Sequence, residues 1–343
     1  MDFVLFYRDP LFGVIMFVAI IAAIALLDYS RSKYKAKKKR ASLQNLAKSY
    51  ETDELNEDII EFVKKAQNSI PSLMLIAKSL SQSGKTQMAI QIYLSLLEAI
   101  KNESEKIIVL EALGLAYMEA GFLERSKGIF IQILENFPKN PTILTNLMIC
   151  HESMGEYQSA LDVLQCLDEL ESNNLFAQNK AFLELMILIN SPNIPLELKA
   201  KRAKKLSFHH IFLQKITLKF LKETDLYSFW EYALQNPNLA HMIDIFWDFK
   251  LDDLPKNVSS NPDLYEIFTA KGYLKDGLQN KSNLKIFELE ALKLLNKNED
   301  VYADIYFEYR CSSCHSLHPF DSPRCPVCKE LGTLDPVLKL AKV

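Results

Sequence analysis

This chain of 343 residues predicts an all-α solenoid of helical repeats, with one N-terminal transmembrane helix before it and a small metal-holding β domain after it. Three observations carry that expectation: an uncharged apolar run near the start, glycines at a near-constant interval through the middle, and two Cys-x-x-Cys pairs close to the end. Composition agrees. Only 9 glycines accompany 20 Phe and 14 Tyr, a balance poor in tight turns and phosphate-cradling loops and rich in bulky packing residues. The 49% of hydrophobic residues suffice for a full core. A net charge of −3 gives no global attraction to nucleic acid, so no nucleic-acid partner is expected.

Residues 1–30 are expected to form the anchor. From 11 to 27 the chain carries no charge, and at 1.5 Å per residue this run reaches roughly 26 Å, the short end of a bilayer crossing. Residues 31–50 form a basic juxtamembrane segment, with Arg31, Lys33, Lys35, Lys37, Lys38, Lys39 and Arg40 against one Arg and two Asp in the first ten residues. That asymmetry places the bulk of the protein in the cytoplasm, as a single-pass protein of the bacterial inner membrane. A cleaved signal peptide is the competing reading, because Ala23-Ile24-Ala25 offers a small-x-small pattern. The leading segment lacks a positive bias, however, and the cations that follow oppose translocation.

The body, 51–300, reads as stacked helix pairs. Gly84, Gly121 and Gly155 are spaced by 37 and then 34 residues, and 34 is the tetratricopeptide period. The clearest units are 70–103, 107–140 and 141–174. In the second, Leu113-Gly114 and Tyr117 fall in a first helix, Gly121 in the turn, Phe130 in a second helix and Pro138 at the end. Small residues let paired helices approach while large apolar ones fill the seam between units. A leading helix is expected over 53–67. From 175 to 295 the periodicity continues without the clean signature, cut into degenerate hairpins at Ser191-Pro192-Asn193, Asn236-Pro237-Asn238, Asp253-Leu254-Pro255 and Asn261-Pro262. Cys150 and Cys166 are expected as packed thiols, and His151, His209, His210 and His241 as structural histidines. Phe229-Trp230 and Phe246-Trp247 are expected in the core.

The strongest chemical motif lies in 305–343. Cys311 and Cys314, ten intervening residues, then Cys325 and Cys328 place four thiols where two tight turns point all sulfurs at one ion. Such a tetrahedral site suits one zinc or iron ion. His315 and His318 lie inside the hairpin and offer alternative ligands, although four thiolates already complete the tetrahedron. Residues 306–309 and 331–334 read as short strands closing a rubredoxin-like or zinc-ribbon β domain. Its closed coordination argues for structure rather than hydrolysis, and with iron it would carry one electron. Nucleophile elbow, phosphate loop and His-Glu metal helix are all missing from the sequence, so no catalytic residue is expected and the chain reads as a non-enzyme.

On Tyr309-Arg310-Cys311-x-x-Cys314, the ten-residue gap, Cys325-Pro326-x-Cys328 and Leu113-Gly114-x-x-Tyr117-Met118-x-Ala120-Gly121, the chain resembles the lipopolysaccharide assembly protein B family of Gram-negative bacteria. The resemblance implies an inner-membrane adaptor that helps a membrane ATP-dependent metalloprotease degrade the lipid A deacetylase and gathers other lipopolysaccharide synthesis enzymes. A general membrane-tethered assembly scaffold and a rubredoxin-like electron carrier are the alternatives. First helices of such repeats line the partner groove, which makes Glu111, Met118, Glu119, Thr145 and Glu152 the candidate partner-binding residues. One departure from the pattern concerns the first knuckle: His315 follows its second cysteine, where glycine most easily adopts a positive φ.

Overall fold

A computed structural model describes residues 69–170, 175–275, 284–295 and 303–342. The expected anchor, basic segment and leading helix lie outside the described residues. No helix among the described residues is long and apolar enough to cross a membrane. The chain is a helical, tetratricopeptide-like solenoid with a small C-terminal sheet, and it divides into two compact units, 1–154 and 155–343.

The first unit contains α1 (Ser69–Gln82), α2 (Thr86–Ala99), α3 (Glu103–Glu119), α4 (Leu123–Asn136) and α5 (Pro141–Ser153). Each helix packs on the next, and the first helices α1, α3 and α5 also touch in succession, which is the stacking that a 34-residue repeat requires. Asn102 and Asn140 cap α3 and α5 by accepting from Ser104 N and Ile143 N, and Pro141 opens α5 at the position that needs no backbone donor. Gly84, Gly121 and Gly155 adopt φ of 75 to 81°, the left-handed turn conformation that their spacing announced. Gly114 serves the helix pair instead. A Cβ there would lie 2.5 Å from the ring of fully buried Phe130, while its carbonyl accepts a 2.8 Å hydrogen bond from the buried Ser126 hydroxyl. The core around these contacts is mainly aliphatic and local, running from Leu73 through Ile90 and Leu96 to Leu113, with Tyr93 and Tyr117 among its members.

The second unit holds α6 (Tyr157–Leu170), α7 (Leu175–Asn190), α8 (Leu196–Ser207), α9 (Ile211–Thr224) and α10 (Leu226–Gln235), then α11 (Ile243–Trp247), α12 (Pro262–Ala270) and α13 (Phe287–Leu295). Hairpins form as expected through α10, but 236–261 departs from them. Its proline-bearing turns leave too few uninterrupted residues for a helix pair, so it folds into three 3-10 turns and the five-residue α11. Asn236 and Asn238 pin this stretch by donating to Gln214 Oε1 at 3.1 and 3.3 Å, and Asn261 donates to Leu234 O at 3.1 Å. Phe229, Trp230, Phe246 and Trp247 fill the core beside it, in the packing role expected of them, and Phe249 joins them. Cys150 is a packed thiol, whereas Cys166 is exposed: only Ala160 and Leu164 of α6 are buried, and residue 166 turns away from them.

Three strands follow, β1 (Ala303–Cys311), β2 (Leu317–His318) and β3 (Leu334–Lys342), in the antiparallel order β2-β1-β3 with Tyr309 opposite His318 and Cys311 opposite Leu334. Of the expected strand 331–334 only Leu334 joins the sheet. Leu331 forms a lone bridge to Arg324, because Glu330 and Gly332 are bonded to Cys325 and Pro323 around the second knuckle and Thr333 O accepts from Ser312 N of the first.

Candidate metal centre

Cys311, Cys314, Cys325 and Cys328 come together with all four sulfurs within 4.8 Å of one another. Cys311 Sγ lies 3.6 Å from Cys328 Sγ, and Cys314 Sγ lies 3.6 Å from Cys325 Sγ. A tetrahedron with metal–sulfur bonds of about 2.3 Å has edges of about 3.8 Å, whereas a disulfide needs about 2.05 Å. The cluster therefore has the dimensions of a four-thiolate metal site and not of a bridge, and either zinc or iron fits it.

Both Cys-x-x-Cys turns are built alike. His315 N donates to Cys311 O at 3.0 Å and Lys329 N to Cys325 O at 2.9 Å, and the same two residues take φ of 60 and 62°. The positive φ expected after the second cysteine is thus present in each turn without glycine, which stores strain beside the site. Cys311 N and Cys325 N donate onward to Ser316 O and Glu330 O, closing each loop.

Burial opposes ionisation of Cys311. The Thr333 hydroxyl, 3.2 Å from its sulfur, and the Cys314 and Ser313 amides outweigh it and bring the thiol down to about 6. The Ser316 hydroxyl, 3.0 Å from Cys314 Sγ, and its amide hold that thiol low as well. Cys328 is pushed up to about 12, first by burial. Such a mixed set suits a site whose last protons leave when an ion binds. His318 stands behind the ligands: its Nε2 is 2.8 Å from Ser316 Oγ and 3.6 Å from Cys325 Sγ, and His315 is exposed. The four-cysteine group contains neither histidine.

Strand alternation explains how the site is carried. Ile305, Phe307, Tyr309 and Cys311 share one face of β1, and that face begins in the aromatic core and ends on a metal ligand. Between the two ends lies a buried polar cluster. Lys215 on α9 pairs with Asp244 and with Asp321 of the ligand hairpin, both at 3.1 Å; Lys219 reaches Asp321 at 2.5 Å. Tyr309 donates to Asp244 Oδ2 at 3.0 Å beneath the Lys215 ammonium, and burial beside Asp244 holds its phenol well above the usual range. Trp247 donates to Asp304 at 3.0 Å, and Arg324 holds Asn179. No spacing in the sequence marks Lys215, Asp244 or Asp321. Only Tyr309 had a legible signal, two residues before a ligand in a strand.

The expected groove residues separate. In the first unit a groove of about 500 Å³ runs between α1, α2 and α3, lined by Met74, Leu75, Ile108, Leu115, Glu111 and Glu119 among others. Burial holds the Glu111 carboxyl above its ordinary value, and Glu119 accepts from Ser81 Oγ at 2.5 Å. Met118 is buried and does not line the groove, Thr145 is exposed with its hydroxyl on Pro141 O, and Glu152 is half-buried. His209, His210 and His241, expected as unrelated structural residues, line one cavity of about 390 Å³ in the second unit, where His241 Nδ1 is 2.9 Å from Asp335 Oδ1.

No family model matches the chain. Among characterised proteins it is similar to lipopolysaccharide assembly protein B of Escherichia coli strain K12, with 22% identity over 127 residues, 37% of this chain and 33% of that protein. The same protein of E. coli O157:H7 gives the same figures. The match thus spans about a third of the length of these relatives. Among solved structures, MamA MSR-1 C2 matches 49% of this chain and 96% of its own at a TM-score of 0.34 and 13% identity. A tetratricopeptide repeat protein from Parabacteroides merdae matches 68% and 100% at 0.36 and 13%.

Proposed function

We propose that this chain is a membrane-tethered, non-enzymatic adaptor of lipopolysaccharide biosynthesis at the bacterial inner membrane. In this reading it presents the deacetylase of the committed lipid A step to a membrane ATP-dependent metalloprotease and gathers other synthesis enzymes. The observation that carries the reading is the joint presence of sequence likeness to lipopolysaccharide assembly protein B, helical repeats and the four-cysteine cluster. The groove supports a protein partner: exposed Leu75 and Ile108 beside Glu111 and Glu119 suit a segment that is apolar with basic flanks. A closed set of thiolates supports a structural zinc or iron ion, which would cross-link the two turns of the ribbon and leave no open position for hydrolysis.

The test is the half-life of the deacetylase in cells depleted of this protein and then supplied with wild-type or Glu111→Lys/Glu119→Lys protein. Depletion is expected to lengthen it, with rescue by the wild type alone. An unchanged half-life on depletion would overturn the proteolytic role and leave an assembly scaffold, which capture of synthesis enzymes from membranes would identify.

A further inference from the structure

Helix α8 carries a concentration of cations that no other helix among the described residues shares. Its sequence, Leu-Glu-Leu-Lys-Ala-Lys-Arg-Ala-Lys-Lys-Leu-Ser, carries five cations and one carboxylate, Glu197, in a chain of net charge −3. The helix buries only Ala200, Ala203 and Ser207, one face at helical spacing. Lys201, Arg202 and Lys205 project from the opposite face around half-exposed Leu198. Among the described residues no carboxylate pairs with these three, whereas Lys204 is held by Glu231 of α10 at 2.7 Å.

Large apolar side chains stand beside the cations without cover. Phe208, directly after α8, is 70% exposed, and Tyr227, one turn before Glu231 on α10, is 81% exposed. The Ser207 hydroxyl lies 2.9 Å from the Tyr232 hydroxyl and Lys204 pairs with Glu231, so the C-terminal end of α8 meets α10, whose exposed Tyr227 stands one turn from Glu231. Buried elsewhere, such residues would signal a core; exposed together with lysines and arginine, they have the composition of a surface that rests in the headgroup layer of a bilayer. There the cations meet anionic lipid phosphates and the rings enter the interface.

We propose that the α8 face, Lys201, Arg202 and Lys205 with Phe208 and Tyr227, docks on an anionic lipid surface. Long exposed basic side chains with exposed rings nearby match a fluid plane of negative charge better than an acidic protein, which would need a shaped counter-surface. This contact is separate from the N-terminal apolar run and from the metal ribbon, and it does not depend on the identity of the adaptor's partners.

The test uses the full chain reconstituted in vesicles whose acyl chains are brominated, either phosphatidylcholine alone or phosphatidylcholine with phosphatidylglycerol. A Phe208→Trp substitution adds an indole at the docking face; Trp230 and Trp247, only 7% and 6% exposed, give the background measured on the unsubstituted protein. Quenching of the added indole in the anionic vesicles only, reduced at 1 M salt and abolished by Lys201→Glu/Arg202→Glu/Lys205→Glu in a protein of unchanged helical signal, is the expected result. Equal quenching in both vesicles, or none in either, overturns the proposal. So does capture of a protein in place of lipid by a photo-crosslinker at 208 in native membranes.

Discussion

The two units of this chain reach stability by different routes. In the first, helices meet their chain neighbours, the core is mainly aliphatic, and the closest approach, Gly114 against Phe130, lies inside one helix pair. In the second, Trp230 and Phe246 from helices share a core with Ile305 and Leu338 from the sheet, and a Lys-Asp-Asp-Tyr cluster joins α9 and α11 to the ligand hairpin. Nearest-neighbour packing tolerates local damage, because a repeat touches only its own neighbours. A core assembled from residues about a hundred positions apart holds or fails with its most distant member. Regular repeats thus end where the sequence must host a ribbon, and periodicity is given up for long-range contacts.

Both tryptophans, Trp230 and Trp247, lie in the second unit, so their fluorescence follows that unit alone while far-ultraviolet dichroism follows both. The largest effect is expected from Cys325→Ser/Cys328→Ser, which removes two of the four clustered thiols; in small zinc domains the metal such a set binds contributes on the order of 10 kcal/mol. The fluorescence transition in urea should move to much lower denaturant while the remaining dichroic transition stays in place. A ribbon that unfolded with the fluorescence midpoint unchanged would show that the shared core does not couple them. Next comes Lys215→Met, which strands buried Asp244 without its counter-charge at a cost of about 3–5 kcal/mol, again read by fluorescence. A loss below about 1 kcal/mol would mean that the cluster is replaceable by apolar packing.

In the first unit, Gly114→Ala forces Phe130 to move, costing about 1–3 kcal/mol by overpacking against a helix-propensity gain of about 1 kcal/mol. The net loss should appear in the dichroic transition and leave the fluorescence midpoint where it was; a shift in both would break the separation of the units. Smallest is Glu111→Gln. Burial raises this carboxyl, so its charged form opposes folding, fully above the folded pKa, and the penalty shrinks as pH falls through that value and is gone below the unfolded one. The variant should match or exceed the wild type within about 0.5 kcal/mol at pH 7 and equal it at pH 4. A clear destabilisation at pH 7 would give the carboxylate a stabilising partner that burial alone does not supply.

Much of this was legible in advance. The glycine interval located the turns because left-handed φ is cheap for glycine, and it located the close helix pairs because a small residue must face a large one. Cysteine spacing located the four thiols that come together, since two-residue knuckles can converge on one point. Less was legible where order is non-local. Met118 stood in a first helix by register yet points inward, and Cys166 stood in a repeat helix yet points out, because repeat register assigns a residue to a helix while packing against neighbouring helices decides its face. His209, His210 and His241 gave no hint that they share a cavity.

The sequence by itself determined what depends on short separations: helix pairs, turns, caps and the two Cys-x-x-Cys knuckles, all set by local geometry and the period of the apolar positions. Only the tertiary structure decided which face of β1 enters the aromatic core, that Lys215 meets Asp244 and Asp321, and that α8 keeps its cations toward solvent. Those outcomes turn on burial and on charges brought together across tens to a hundred residues, and a buried charge is fixed by whichever partner the fold delivers to it.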